Sequence, residues 1–130
     1  MAELSTFDTV TRSNAGVDME LKRLSDGKPS GVFFTLLGKD GDEFRNILAE
    51  RERMITDRAA AGQPLLSAAE RDDLNCDMFA RCTRGWRGLE EGGKAVEFNR
   101  DKAKDIYTKY PGIREQANVF ISDRANFVHA

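Results

Sequence analysis

The sequence predicts an α+β fold: an N-terminal β-hairpin followed by a mainly helical body of about four helices. Three observations predict it. Val17, Met19 and Leu21 alternate with Asp18, Glu20 and Lys22 at the period of a half-buried strand. Turn formers crowd the segment Ser25-Asp26-Gly27-Lys28-Pro29-Ser30-Gly31. After Asp42 the apolar residues recur at helical spacing instead.

The second strand of the hairpin is the run Val32-Phe33-Phe34-Thr35-Leu36-Leu37, rich in β-branched and aromatic residues and closed by Gly38. Asp26-Gly27 lies near the tip. The first helix is expected over about 42–61, capped by Asp40 or Asp42. Phe44, Ile47, Leu48, Met54 and Ile55 mark its apolar face, and Gly62 and Pro64 end it. Ser67-Ala68-Ala69-Glu70 reads as a capping box that starts a second helix. Leu74, Met78 and Cys82 follow at spacing four, and Gly85 is expected to stop it. Residues 85–98 then read as a glycine-rich connection. Asn99 is the next cap, with Phe98 as a hydrophobic staple against Ala103. Ala103, Ile106, Tyr107 and Tyr110 form one helical face. Pro111 opens the last helix at a position where its missing amide costs nothing. Ile113, Ala117, Phe120 and Ile121 give that helix its stripe, with Phe127 and Val128 closing over the end.

A chain of 130 residues fits one domain, placed at 16–130 behind a flexible start at 1–15 that is rich in Ser, Thr, Asn and Asp. The net charge of -2 comes from acids and bases scattered along the whole chain. No basic stripe of the kind that neutralises phosphates is present, so nucleic acid is not an expected partner. The apolar runs are too short to span a bilayer and no leader-like segment opens the chain, so no membrane partner is expected.

Enzyme chemistry finds little support. No nucleophile stands beside a base, and the single histidine, His129, lies one residue from the C-terminus, where a fixed orientation is hard to hold. Glycine-rich phosphate loops are absent. Cys76 and Cys82, six apart on a helix, are too distant to bridge and lack the paired ligands of a zinc site. They read as free, partly buried thiols. The stretch 37–44 has a superficial likeness to a calcium loop but lacks the ligand spacing, so it reads as a turn and helix cap. Asp72, Asp73 and Asp77 read as a solvated face near a helix start. Neither a metal nor another cofactor is expected.

Several motifs occur in a fixed order. Gly85-Trp86-Arg87-Gly88-Leu89 leads to a glycine-rich step, then to Val96-Glu97-Phe98-Asn99 and a helix carrying Ala103. Tyr110-Pro111-Gly112-Ile113-Arg114-Glu115-Gln116-Ala117 and Phe120-Ile121-Ser122-Asp123-Arg124-Ala125-Asn126-Phe127 complete the series. Upstream stand the Asp26-Gly27 turn, Gly31 before the β-rich run, and Leu37-Gly38-Lys39-Asp40 before a helix. In this order, over about residues 17–128, the chain resembles the tail assembly chaperones of long-tailed, siphophage-like bacteriophages and prophages. It departs from them at Asn99-Arg100-Asp101-Lys102-Ala103, where the family pattern has a Ser or Thr cap followed by Glu-Asn-Ala.

The resemblance implies a non-enzymatic protein of the host cytoplasm. It would bind and solubilise the phage tail tape measure protein during tail morphogenesis and be absent from the mature virion. It also implies self-association into oligomers and, in many members, a frameshift-extended form of the same protein. The alternative is a structural minor tail or head-tail component retained in the virion. A third class, an enzyme or small-ligand binder, would need convergent titratable groups in a polar pocket. The candidate anchors, for a partner or for the domain's own core, are Trp86, Tyr107, Tyr110, Phe120 and Phe127, with Trp86 and Phe127 structural first.

Overall fold

A computed structural model describes residues 1–128. A 3-10 turn at Leu4–Phe7 precedes helix α1, Val10–Ala15. Strands β1, Val17–Lys22, and β2, Pro29–Leu36, form the hairpin. Helices α2, Asp42–Ala60, and α3, Ala68–Arg81, follow. Strand β3, Thr83–Arg87, and the two-residue strands β4, Glu90–Glu91, and β5, Lys94–Ala95, come next. Helices α4, Arg100–Lys109, and α5, Pro111–Ser122, lead to a closing 3-10 turn at Arg124–Phe127.

The expected order, a hairpin and then a helical body, is therefore corrected: strands return after α3. β3 joins β2 on the side away from β1, giving an antiparallel sheet of order β1-β2-β3. Phe34 pairs with Met19 on one side and Trp86 on the other. Two arginines and a glycine give β3 little strand propensity of its own. Its conformation comes from pairing with β2, a tertiary cause that local pattern does not carry. Gly85, expected to stop the preceding helix, lies inside this strand opposite Thr35. The glycine-rich connection is likewise a β-ribbon of β4 and β5. Gly92 and Gly93 sit at its tip with φ of 60° and 79°, the left-handed pair that a tight hairpin turn requires.

One face of the sheet carries Met19, Leu21, Phe34 and Leu36 onto Cys76, Phe79 and Ala80 of α3, Ala103 and Tyr107 of α4, and Ala117 and Ile121 of α5. Phe34 and Tyr107 are fully buried at its centre. Their rings meet edge to face at 6.2 Å, and Tyr107 also lies 5.9 Å from Phe79. The Tyr107 hydroxyl is 2.7 Å from Thr83 Oγ1, which in turn donates to the Phe79 carbonyl, so no polar atom of this cluster lacks a partner.

Part of the segment expected to be a flexible start is helix α1. Asp8 accepts hydrogen bonds from the Val10 and Thr11 amides. Ser13 is buried, and its carbonyl accepts from the Gly38 amide. A Cβ on Gly38 would stand 2.2 Å from Ser13 Oγ, so only glycine admits this approach. The capping expectation at α2 is also corrected. The N-cap is Gly41, and the Asp42 amide donates to Asn14 of α1 instead. Asp40 turns away to hold Arg124 and Thr9. The capping box at Ser67 and Glu70, the Asn99 cap and Pro111 in the first turn of α5 are all present. Phe98 packs on Trp86, with ring centroids 4.9 Å apart.

Candidate partner-binding surfaces

Helix α2 has 19 residues and a length of about 28 Å. Its main packing partner is α3, and together they form a helical hairpin. At the end near the sheet the pair is anchored. Ile47 is buried, and Arg81 of α3 donates to Glu43 and Glu50 of α2, which raises its pKa, the Glu50 hydrogen bond first. Farther out the ties become polar and local. Arg51 donates to Asn75, Arg58 to the Pro64 carbonyl and Arg71 to the Leu66 carbonyl.

Along α2 and the loop after it lie apolar side chains that the chain covers only in part. Leu48 and Ile55, seven residues apart and so on one stripe, are 46% and 43% exposed, and Leu65 in the connecting loop is 88% exposed. A cleft of about 220 Å³ lies between Ile55 and Leu65, lined also by Ala59, Pro64 and the stems of Arg58 and Arg71. Helical recognition uses such a surface: an apolar stripe read at i and i+7, beside a hollow for a facing side chain.

A second groove, of about 470 Å³, runs between β1 and α5. Met19, Leu24, Val119 and Phe120 supply its apolar lining, and Glu20, Lys22, Glu115, Gln116 and Asn126 its polar rim. Leu24 is 78% and Val119 63% exposed.

The structure separates the five aromatic candidates. Tyr107 and Phe127 are buried in the core. Burial pushes the Tyr107 hydroxyl well above its ordinary pKa. Phe127 meets Phe120 edge to face at 5.6 Å. Trp86 is half-buried, 5.3 Å from Phe34, and its indole N–H donates to the Val96 carbonyl, tying the β-ribbon to the sheet. Phe120 is half-buried and reaches the β1–α5 groove. Tyr110 is exposed at the junction of α4 and α5. The exposed aliphatic residues of α2 and its loop carried no separate signal, because amphipathic spacing marks a face without saying whether the chain itself covers it.

The other sequence candidates take structural places. Asp72, Asp73 and Asp77 are exposed or half-exposed, but each pairs with a cation across a helix interface: Arg114, Lys104 and Arg100 respectively. Cys76 and Cys82 are free and buried. Arg114 lies 3.2 Å from Cys76 Sγ, and burial pushes the Cys82 thiol up to about 12. His129 lies outside the described residues. Among the described residues, no group of three or more His, Cys, Asp and Glu side chains is placed to hold a metal ion, and no helix is long and apolar enough to cross a membrane.

No protein-family model, no curated protein and no solved structure matches this chain.

Proposed function

We propose that the protein is a phage tail assembly chaperone. It acts without catalysis in the host cytoplasm, covers the tape measure protein until the tail forms, and does not stay in the virion. One observation carries this reading: the α2–α3 hairpin presents Leu48, Ile55 and Leu65 with much of each side chain exposed, the last two lining a cleft that the chain's own core leaves open. The ordered motifs from Gly85 to Phe127 that resemble tail assembly chaperones support it.

A tape measure protein is long and helical, with extended apolar stripes that collapse on one another unless covered. A helical hairpin with an apolar stripe covers such a stripe by knobs-into-holes packing. Each fully buried Leu or Ile contributes about 1.5–3 kcal/mol, so one subunit binds weakly and many subunits along one partner bind well. Self-association of the chaperone, and a frameshift-extended form carrying the same hairpin, fit this multivalent mode.

Co-expression with the tape measure protein of the same phage tests the reading. The partner is expected in the soluble fraction with this chain and in inclusion bodies without it. The double variant Leu48→Gln/Ile55→Gln is expected to lose most of that effect. Equal solubility with and without the chain overturns the proposal, and recovery of the chain from purified virions favours the structural tail or head-tail component instead.

A further inference from the structure

We propose that the free edge of β1 pairs antiparallel with β1 of a second copy of this chain, in a register centred on Glu20. This deepens the self-association put forward above and names its surface.

β1 is an edge strand, since the sheet order is β1-β2-β3. The direction of its main-chain groups follows from its hydrogen bonds. The Leu21 carbonyl accepts from Ser30 Oγ at 2.6 Å and the Arg23 amide donates to the Lys28 carbonyl at 2.8 Å, so both residues face β2. Lys22 faces away. The register irregularity beyond Glu20 lies on the β2 side, where four residues step against two. Alternation along β1 is therefore unbroken, and Asp18 and Glu20 also turn their amides and carbonyls outward. Among the described residues, no hydrogen bond from another element reaches the main chain of either.

At Lys22 the structure shows what the edge accepts. The Lys22 amide donates to Gln116 Oε1 at 2.8 Å, and Gln116 Nε2 donates to the Lys22 carbonyl at 3.0 Å. A side-chain amide occupies the place of a neighbouring strand's peptide unit. Gln116 thus blocks one end of an edge whose other two outward residues stay open, a form of edge protection that a competing strand can displace.

The sequence of β1 fits its own antiparallel copy. Centring on Glu20 sets Asp18, whose carboxylate also accepts from Thr35 and Arg87 of its own sheet, opposite Lys22 of the second copy and Lys22 opposite its Asp18, two ion pairs related by the twofold axis. On the other face Met19 comes opposite Leu21. The outward residues 18, 20 and 22 then form hydrogen-bonded pairs, as an antiparallel ladder needs. The Glu20 carboxylate at the axis already accepts from the Gly31 amide at 3.0 Å, which holds it toward β2 and away from its counterpart. Leu24 and Val119 beside the strand gain cover. A six-residue edge is a small interface, so the association is weak and concentration-dependent.

Sedimentation equilibrium of the purified chain, with no partner present, tests this apart from the chaperone reading. The parent is expected to dimerise at high concentration. Lys22→Asp turns both ion pairs into repulsions and is expected to weaken the dimer about tenfold. Adding Asp18→Lys to Lys22→Asp, with Arg87→Gln so that the new lysine does not meet the neighbouring guanidinium, is expected to restore it. Gln116→Leu, which removes the blocking amide, is expected to strengthen it. Hydrogen exchange at the Asp18 and Glu20 amides is expected to slow as concentration rises. A parent that stays monomeric, a charge swap that fails to rescue, or a dimer that leaves those two amides unprotected overturns the proposal. Dimerisation lost in Leu48→Gln/Ile55→Gln but kept in Lys22→Asp would place self-association on the helical hairpin and overturn it as well.

Discussion

The two ends of α3 lie in different surroundings. Its C-terminal half, with Cys76, Phe79 and Ala80, is walled in by the sheet, α4 and α5. Its N-terminal half, with the outer half of α2, is exposed over most of its length; Met54 and Leu74 are half-buried there, while Ile55 and the loop residue Leu65 face water in large part. Similar sequence signals, a cap followed by apolar residues three and four apart, generate both halves. The difference lies in what each half meets. In the core, apolar side chains supply folding energy. In the outer hairpin, helix form is held by the capping box at Ser67 and by arginine contacts to the loop, and Ile55 and Leu65, like Leu48 nearer the sheet, stay only partly used by the monomer's own packing.

The largest effect expected from this contrast lies at the centre of the core. Phe34 is fully buried and touches both Trp86 and Tyr107, so Phe34→Ala leaves a cavity between three elements. It is expected to cost about 3–5 kcal/mol in chemical denaturation, a large share of the stability of a domain this size. A loss below about 1 kcal/mol would mean that the sheet and α4 do not form one packed unit.

The elements with a strong local period were legible from the sequence: the hairpin around Asp26-Gly27, the capping box and the α4–α5 pair. β3 was not, because its strand form depends on an edge supplied by β2, where Phe34, the partner of Trp86, lies 52 residues earlier. α1 was hidden for a similar reason. Its six residues contain little apolar surface, and it is held by Ser13 against Gly38 and by Asn14 at the start of α2. The candidate surfaces were half legible. Spacing named Phe44, Ile47, Leu48, Met54 and Ile55 as an apolar face, and only the tertiary structure shows that Ile47 of this face is buried while Leu48 and Ile55 stay nearly half exposed.

A middle-sized effect sharpens the border between ordered core and termini. Asp40 accepts from Arg124 and from Thr9, joining α1 to the closing 3-10 turn, and these contacts, Arg124 first, hold its carboxyl down to about 2. A depressed carboxylate stabilises the fold above its unfolded pKa of about 4, and that contribution is lost as pH falls from there toward the folded value. Asp40→Asn is expected to cost on the order of 1 kcal/mol at neutral pH, since the Arg124 side chain is largely exposed and the pair is screened. The deficit relative to the parent should shrink as pH falls below about 4 and be mostly gone at about pH 2. A deficit that stays constant from pH 7 to pH 2 would show that shape at position 40, and not charge, secures the termini.

The smallest effect expected is the most telling about the outer hairpin. In a core, replacing Leu or Ile by a polar residue removes buried area and strands polar atoms, at a cost of several kcal/mol. Leu48 and Ile55 are each nearly half exposed, and glutamine keeps good helix propensity. Leu48→Gln/Ile55→Gln is therefore expected to shift stability by no more than about 0.5–1 kcal/mol, mostly through the buried part of each side chain. Helical content by circular dichroism should match the parent. Such near-neutrality would mean that the chain's own fold makes little use of the two side chains, leaving contact with another molecule as their use. A loss comparable to that of Phe34→Ala would instead make the stripe part of the hairpin's own packing, and the contrast between the two halves of α3 would disappear.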